Sequence, residues 1–204
     1  MVAAKANPSA RLMRELDALD RFSMAGLDAA VDRLRNGGGL EAFEAEVLDH
    51  LQESHTRGVV LGRHWAGDRV ARERDDEIFA GRAVERELAY FDGLLHDIRT
   101  GRYDDDEIRV STALDARLRL YGKKVGGTMS EVFVLASPAD SVYDWVMLAD
   151  EHCQDCPRIA AGGPYAADGL PTYPRAGQTQ CLTNCKCVLV RRSDGMPSPP
   201  PFGL

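Results

Sequence analysis

Apolar residues recur at helical intervals along the first two thirds of the chain. Leu12, Leu16, Leu19, Met24, Leu27, Val31 and Leu34 follow one another at steps of three, four or five and are interleaved with Arg, Asp and Glu. This predicts an amphipathic helix over about 10–36, with a break or register drift at Phe22-Ser23. Asn36-Gly37-Gly38-Gly39 ends it, because glycine adopts left-handed geometry cheaply and asparagine tolerates it. A second helix is expected over about 40–74, carried by Phe43, Val47, Leu51, Val59, Val60, Leu61 and Trp65. Gly58, Gly62 and Gly67 either weaken it or admit another helix at close range. A third is expected over about 77–100, with Ile78, Val84, Leu88, Phe91, Leu95 and Ile98 on its inner face and Gly101 as its end. The acids Asp104-Asp105-Asp106-Glu107 suit the positive end of a fourth helix. That helix carries Ile108, Leu114, Leu118 and Tyr121 and is expected to stop near Gly126-Gly127.

The pattern then changes. Glu131-Val-Phe-Val-Leu135 reads as a short strand, Pro138-Ala-Asp140 as a turn, and residues 142–150 as strand or short helix around Trp145. Residues 153–187 are rich in Gly, Pro, Cys and Thr, Cys187-Val-Leu-Val190 reads as a closing strand, and Ser198-Pro-Pro-Pro-Phe202 has polyproline character. The fold class expected is mainly α (α+β): long N-terminal helices followed by a small Cys-rich lobe with short strands. The expected divisions are a helical region over 1–128, the Cys-rich lobe over 129–192 and a Pro-rich tail over 193–204.

Composition narrows the functional classes. The 204 residues are 44% hydrophobic and 28% charged, enough for a packed core and unlike a disordered chain. A formal net charge of −7 argues against a protein that coats nucleic acid through a general basic surface. No run approaches the roughly 18 apolar residues of a membrane span, and the first residues lack a signal peptide's apolar stretch. The expectation is a soluble protein kept in a reducing cytoplasm.

All five cysteines fall in the last quarter. Cys153-Gln-Asp-Cys156 is a C-x2-C knuckle, and Cys181-Leu-Thr-Asn-Cys185-Lys-Cys187 supplies three more thiols after a gap of 24 residues. Tetrahedral zinc takes four soft ligands delivered in pairs by tight turns. Cys153, Cys156 and Cys181 are the leading ligands, with Cys185 or Cys187 as the fourth, since residues two apart in a strand face one side. His152 is a substitute ligand. The intervening segment, with Gly162-Gly163-Pro164, Pro171, Pro174 and Gly177, has little apolar content and needs a staple to offset its ordering entropy. The predicted cofactor is therefore one structural Zn, with disulfides or unliganded thiols as the alternatives.

Other candidates carry less. Gly122-Lys-Lys-Val-Gly-Gly-Thr128 lacks the order of a phosphate-binding loop and reads as a helix C-terminus whose basic residues meet the negative dipole end. His50, His55 and His64 lack the i, i+4 spacing of a zinc protease and read as surface histidines. Asp104–Glu107 reads as a solvated cap, and Trp145 as a packing anchor over the Cys-rich lobe. There is no G-x-S-x-G elbow and no dinucleotide-binding turn.

Taken in order, Trp145, Asp150-Glu-His-Cys153-Gln-Asp-Cys156, Leu170-Pro-Thr-Tyr-Pro174 and Cys181-Leu-Thr-Asn-Cys185-Lys-Cys187-Val-Leu resemble one family. They are similar to the C-terminal part of tailed-phage head morphogenesis proteins, the minor head proteins related to phage Mu protein F and the minor capsid protein of phage SPP1. Those commonly show a Trp, a D-x-x-x-C-x-x-C step, a Pro-rich link and an H-P-N-C-R-C ending. The resemblance spans about residues 130–190. The family's histidine falls here on Leu182, with Cys181 beside it.

The resemblance implies a virion component rather than an enzyme, associated with portal or capsid proteins and present in the host cytoplasm during assembly. It also implies a part in capsid morphogenesis or DNA delivery, with homo-oligomers among the assemblies. The alternative is a zinc-ribbon-like nucleic-acid-binding module, with Arg158, Arg175, Lys186, Arg191 and Arg192 near the lobe. A hydrolase using metal-bound water is a third reading.

Overall fold

The computed structural model describes residues 8–103, 108–148 and 152–194. The acidic run Asp104–Glu107, Asp150 and the Pro-rich stretch 198–202 lie outside the described residues. The chain is mainly α-helical with a small antiparallel sheet near its C-terminal end, as the pattern predicts. The helices are α1 (Pro8–Arg35), α2 (Leu40–Ala66), α3 (Arg74–Glu85), α4 (Leu88–Arg99), α5 (Ile108–Leu135) and α6 (Asp155–Gly162). The strands are β1 (Val142–Val146), β2 (Tyr165–Ala166) and β3 (Val188–Arg191), in the order β2-β1-β3. Trp145 pairs with Leu189 and Tyr143 with both Tyr165 and Arg191.

The α1 stripe is continuous through Phe22-Ser23, but its two halves feed different cores. Leu27, Ala30 and Val31 join Phe43, Val47 and Leu51 of α2, Phe91 and Leu94 of α4 and Leu118 of α5. Leu12, Leu16 and Leu19 instead pack with Val125 and Met129 of α5 and with Val188 and Val190 of β3. The first helix therefore meets the last strand directly.

Several boundaries differ from the sequence expectation. The second helix ends at Ala66, where Gly67 takes φ 107° and its amide bonds back into the last turn. Arg63 then crosses to α3, donating to Asp76 Oδ1 and Oδ2 at 2.7 and 2.9 Å and to Asp68 at 3.0 Å. The expected third helix is two helices, α3 and α4, parted at Arg86-Glu87. Ile78 and Leu88, expected on the inner face, are 46% and 36% exposed, while Ala80, Ala83 and Val84 of α3 face inward.

The largest difference is α5. It does not stop at Gly126-Gly127 but continues to Leu135, absorbing the expected strand over 131–135. Val132, Phe133 and Val134 are all buried, because this end of the helix is enclosed on several sides. Phe133 and Val134 face the Cys-rich core, whereas Val132 meets Val59 and Ala80. Three consecutive buried β-branched or aromatic residues read as a strand when only one covered side is assumed. The expected division at 128/129 thus falls inside α5, and the helical body and Cys-rich lobe share this helix. Gly126 and Gly127 serve close approach instead of termination: a Cβ on Gly127 would lie 2.9 Å from the backbone of Arg175 and Ala176. Gly58 and Gly62 do the same for the α2–α5 pair, a Cβ on Gly62 falling 2.5 Å from the Met129 carbonyl.

Candidate metal centre

The five cysteines arrive from three places. Cys153 and Cys156 flank the start of α6, Cys181 precedes a short 3-10 turn over Leu182–Asn184, and Cys185 and Cys187 lie between that turn and β3. Asp155 knits the two sulfur-bearing segments together, accepting from the Gln180 amide at 2.8 Å, while the Gln180 side chain accepts from the Gln154 amide at 3.2 Å. Arg175 fixes the second segment from below. Its Nε donates to the Cys185 carbonyl at 3.0 Å, and its Nη1 donates to both Asp20 oxygens on α1 at 2.8 Å. The guanidinium stem passes over Gly126, where any side chain would obstruct it.

These supports bring the sulfurs together. Cys153 Sγ lies 3.4 Å from both Cys156 Sγ and Cys181 Sγ. Cys156 Sγ is 3.8 Å from Cys181 Sγ and 3.8 Å from Cys185 Sγ. Two sets of ligand atoms converge, Cys153–Cys156–Cys181 and Cys156–Cys185–Cys187, sharing Cys156. All five thiols are free, so no disulfide bridges them. A tetrahedron of thiolates with metal–sulfur bonds of about 2.3 Å has edges of roughly 3.8 Å; the Cys156–Cys181 and Cys156–Cys185 separations equal that edge, the two from Cys153 are shorter, and the sulfurs converge as two triplets rather than one set of four. The cluster could hold a metal ion. His152 is not in either converging set.

The surroundings polarise the thiols. Hydrogen bonding to Cys187 holds the Cys185 thiol down to about 5 against the opposing effect of burial. Burial raises the Cys153 thiol, but hydrogen bonds from the Cys156 amide and the Cys181 and Cys156 thiols outweigh it and leave it lowered to about 7. Burial pushes Cys156 and Cys181 up, and Cys187 is raised by its bond to Cys185 and by burial. Cys153 and Cys185 are thus the sulfurs held toward the thiolate, whereas Cys156, Cys181 and Cys187 are held toward the thiol. Trp145 packs against Cys156, Cys185 and Cys187, and Ala66, Phe133 and Val134 complete the shell. Water is kept from the inner side of the cluster.

The remaining sequence candidates resolve differently. Leu182, at the family's histidine position, is 48% exposed, while Cys181 beside it supplies a converging sulfur. Gly122–Thr128 lies inside α5, not at a helix C-terminus. His64 is exposed and His50 half-buried, but His55 is fully buried, which corrects its reading as a surface residue. His55 Nδ1 is hydrogen-bonded with Thr128 Oγ1 at 2.8 Å, and its Nε2 lies 3.3 Å from Glu87 Oε1. Sequence reasoning missed this trio, which comes from α2, α5 and the turn before α4, with no spacing signal to join it. Among the proposed basic contacts, Arg175 is buried, Arg191 donates to the Ala66 carbonyl and Arg192 to Asp144. Arg158 and Lys186 are exposed.

No protein-family model matches the chain, and neither a curated protein nor a solved structure matches it. Among the described residues, no helix is long and apolar enough to cross a membrane.

Proposed function

We propose that the protein is a structural and assembly component of a tailed-phage head, a minor head protein working beside the portal in capsid morphogenesis or DNA delivery. It acts by docking rather than by catalysis. The observation that carries this reading is the ordered series from Trp145 through Cys187. Its sulfurs meet in space although 24 residues separate the two groups. In this reading the metal is zinc, held structurally by Cys153, Cys156, Cys181 and Cys185. Cys185, whose sulfur lies 3.8 Å from Cys156, is taken as the fourth ligand, and binding requires the two triplets that share Cys156 to draw together. Bound zinc supplies no reaction here; it ties α6 and the 181–187 segment to the sheet.

Mass spectrometry of purified particles from the phage that encodes the chain tests the role. Peptides of this protein should be present in head-containing particles at low copy relative to the major capsid protein. Particles with full heads that lack it would overturn the assignment. Elemental analysis of protein purified without chelator tests the metal separately, with about one zinc per chain expected.

A further inference from the structure

The five sulfurs outnumber the four that one tetrahedral ion takes. They stand as two triplets, Cys153–Cys156–Cys181 and Cys156–Cys185–Cys187, hinged on Cys156. Within each triplet all ligand atoms lie within 4.8 Å of one another, and among the described residues no His, Asp or Glu joins either set. A single tetrahedral ion leaves Cys187 unused.

Three thiolates in a plane around an ion at about 2.3 Å stand roughly 4.0 Å apart. The first triplet has edges of 3.4, 3.4 and 3.8 Å, so opening by about half an ångström admits an ion. The second triplet is buried at all three residues, which denies solvent access to a fourth coordination position. A divalent ion such as zinc, held by only three protein ligands, keeps a water in that position. A monovalent thiophilic ion is satisfied by three sulfurs, and soft thiolate sets select Cu(I). Donors offset part of the charge that five thiolates bring: the Asp155 and Cys156 amides bond to Cys153, the Cys187 amide bonds to Cys185, and Thr179 Oγ1 lies 3.2 Å from Cys181 Sγ.

We propose that the cluster also takes a pair of Cu(I) ions, one in each triplet, with the Cys156 sulfur bridging them. Zinc draws the triplets together into one site, whereas copper fills them as they stand, so the two loadings are alternatives. Each thiol that becomes a ligand gives its proton to solvent, and copper stays monovalent throughout. The inference rests on the sulfur geometry and not on the head-protein reading.

Anaerobic titration of the metal-free full chain with Cu(I) against a competing Cu(I) chelator, read by native mass spectrometry, tests the proposal. The wild-type chain should hold about two coppers. Cys187→Ser should hold about one while keeping its single zinc, which shows that the variant is folded. Cys153→Ser, which breaks the other triplet, should also fall to about one copper. X-ray absorption at the copper edge should show three sulfur neighbours for each ion in the wild-type chain. One copper per wild-type chain would overturn the proposal, as would two in Cys187→Ser or a spread of loadings rising past two. Two coppers with no zinc bound would support the pair and sink the zinc assignment alone; one zinc with one copper would do the reverse.

Discussion

Cys185 and Cys187 stand two positions apart with both sulfurs turned to Cys156, yet a tetrahedral ion has room for one of them beside the other three. Cys187→Ser should therefore retain about one metal per chain, whereas Cys185→Ser should lose it or bind it far more weakly; elemental analysis with a competing chelator reads the difference. Arg63 makes a different point. Its guanidinium is the buried partner of Asp76, and removing it strands a carboxylate that is 2% exposed. Arg63→Met is expected to cost about 3 kcal/mol in urea unfolding, well beyond an ordinary surface pair. At this scale the sequence was uneven. The cysteines were legible because thiols are few, chemically specific and spaced in pairs. His55 and Glu87 were not, because a buried polar pair is defined by partners on other helices, and nothing in the local pattern around either residue marks it.

Helices were easier to find than to bound. The α1 and α2 stripes follow helical periodicity, and α1 came out nearly whole. Glycine misled in opposite directions. Gly67 ends α2 through its left-handed backbone, while Gly126 and Gly127 sit in an uninterrupted α5 and make room for the Arg175 segment. The same residue type thus marks a stop or a close crossing, and only the neighbour across the groove decides which. Substitution by alanine separates the two roles. Gly62→Ala and Gly127→Ala should each destabilise by about 1–3 kcal/mol, since the added carbon meets backbone at 2.5 and 2.9 Å. Gly81→Ala in α3, whose nearest neighbour is a Gln52 side-chain oxygen at 3.5 Å, should be neutral or stabilising by up to about 1 kcal/mol. Thermal or urea unfolding of the three variants checks the ranking, and Gly127→Ala should in addition speed proteolysis at Arg175.

Among the described residues, four apolar cores with different owners set the response to metal loss. The largest contains only helical residues, from Leu27 to Tyr121. A small one joins Val59, Ala80 and Val132, also helical, and two others combine helices with the sulfur-bearing segments or with β3. Chelation should therefore raise amide hydrogen exchange over 153–191 and also at Leu12, Leu16 and Leu19 of α1, while Phe43, Leu51, Phe91 and Leu94 stay protected. Exchange mass spectrometry with and without chelator measures this, and a fully protected α1 after metal removal would contradict the shared core. The nucleic-acid alternative is addressed at the same scale. With a formal net charge of −7 and Arg175, Arg191 and Arg192 engaged within the fold, titration with duplex DNA should show no salt-dependent binding near physiological ionic strength. The junction of Leu12, Leu16 and Leu19 with Val188 and Val190 also bears on synthesis. A ribosome releases α1 long before the strand that covers it, so half of that helix must wait, greasy and uncovered, until Val188 and Val190 have emerged. Nascent chains stalled before Val188 should thus be the form that chaperones hold and proteases cut.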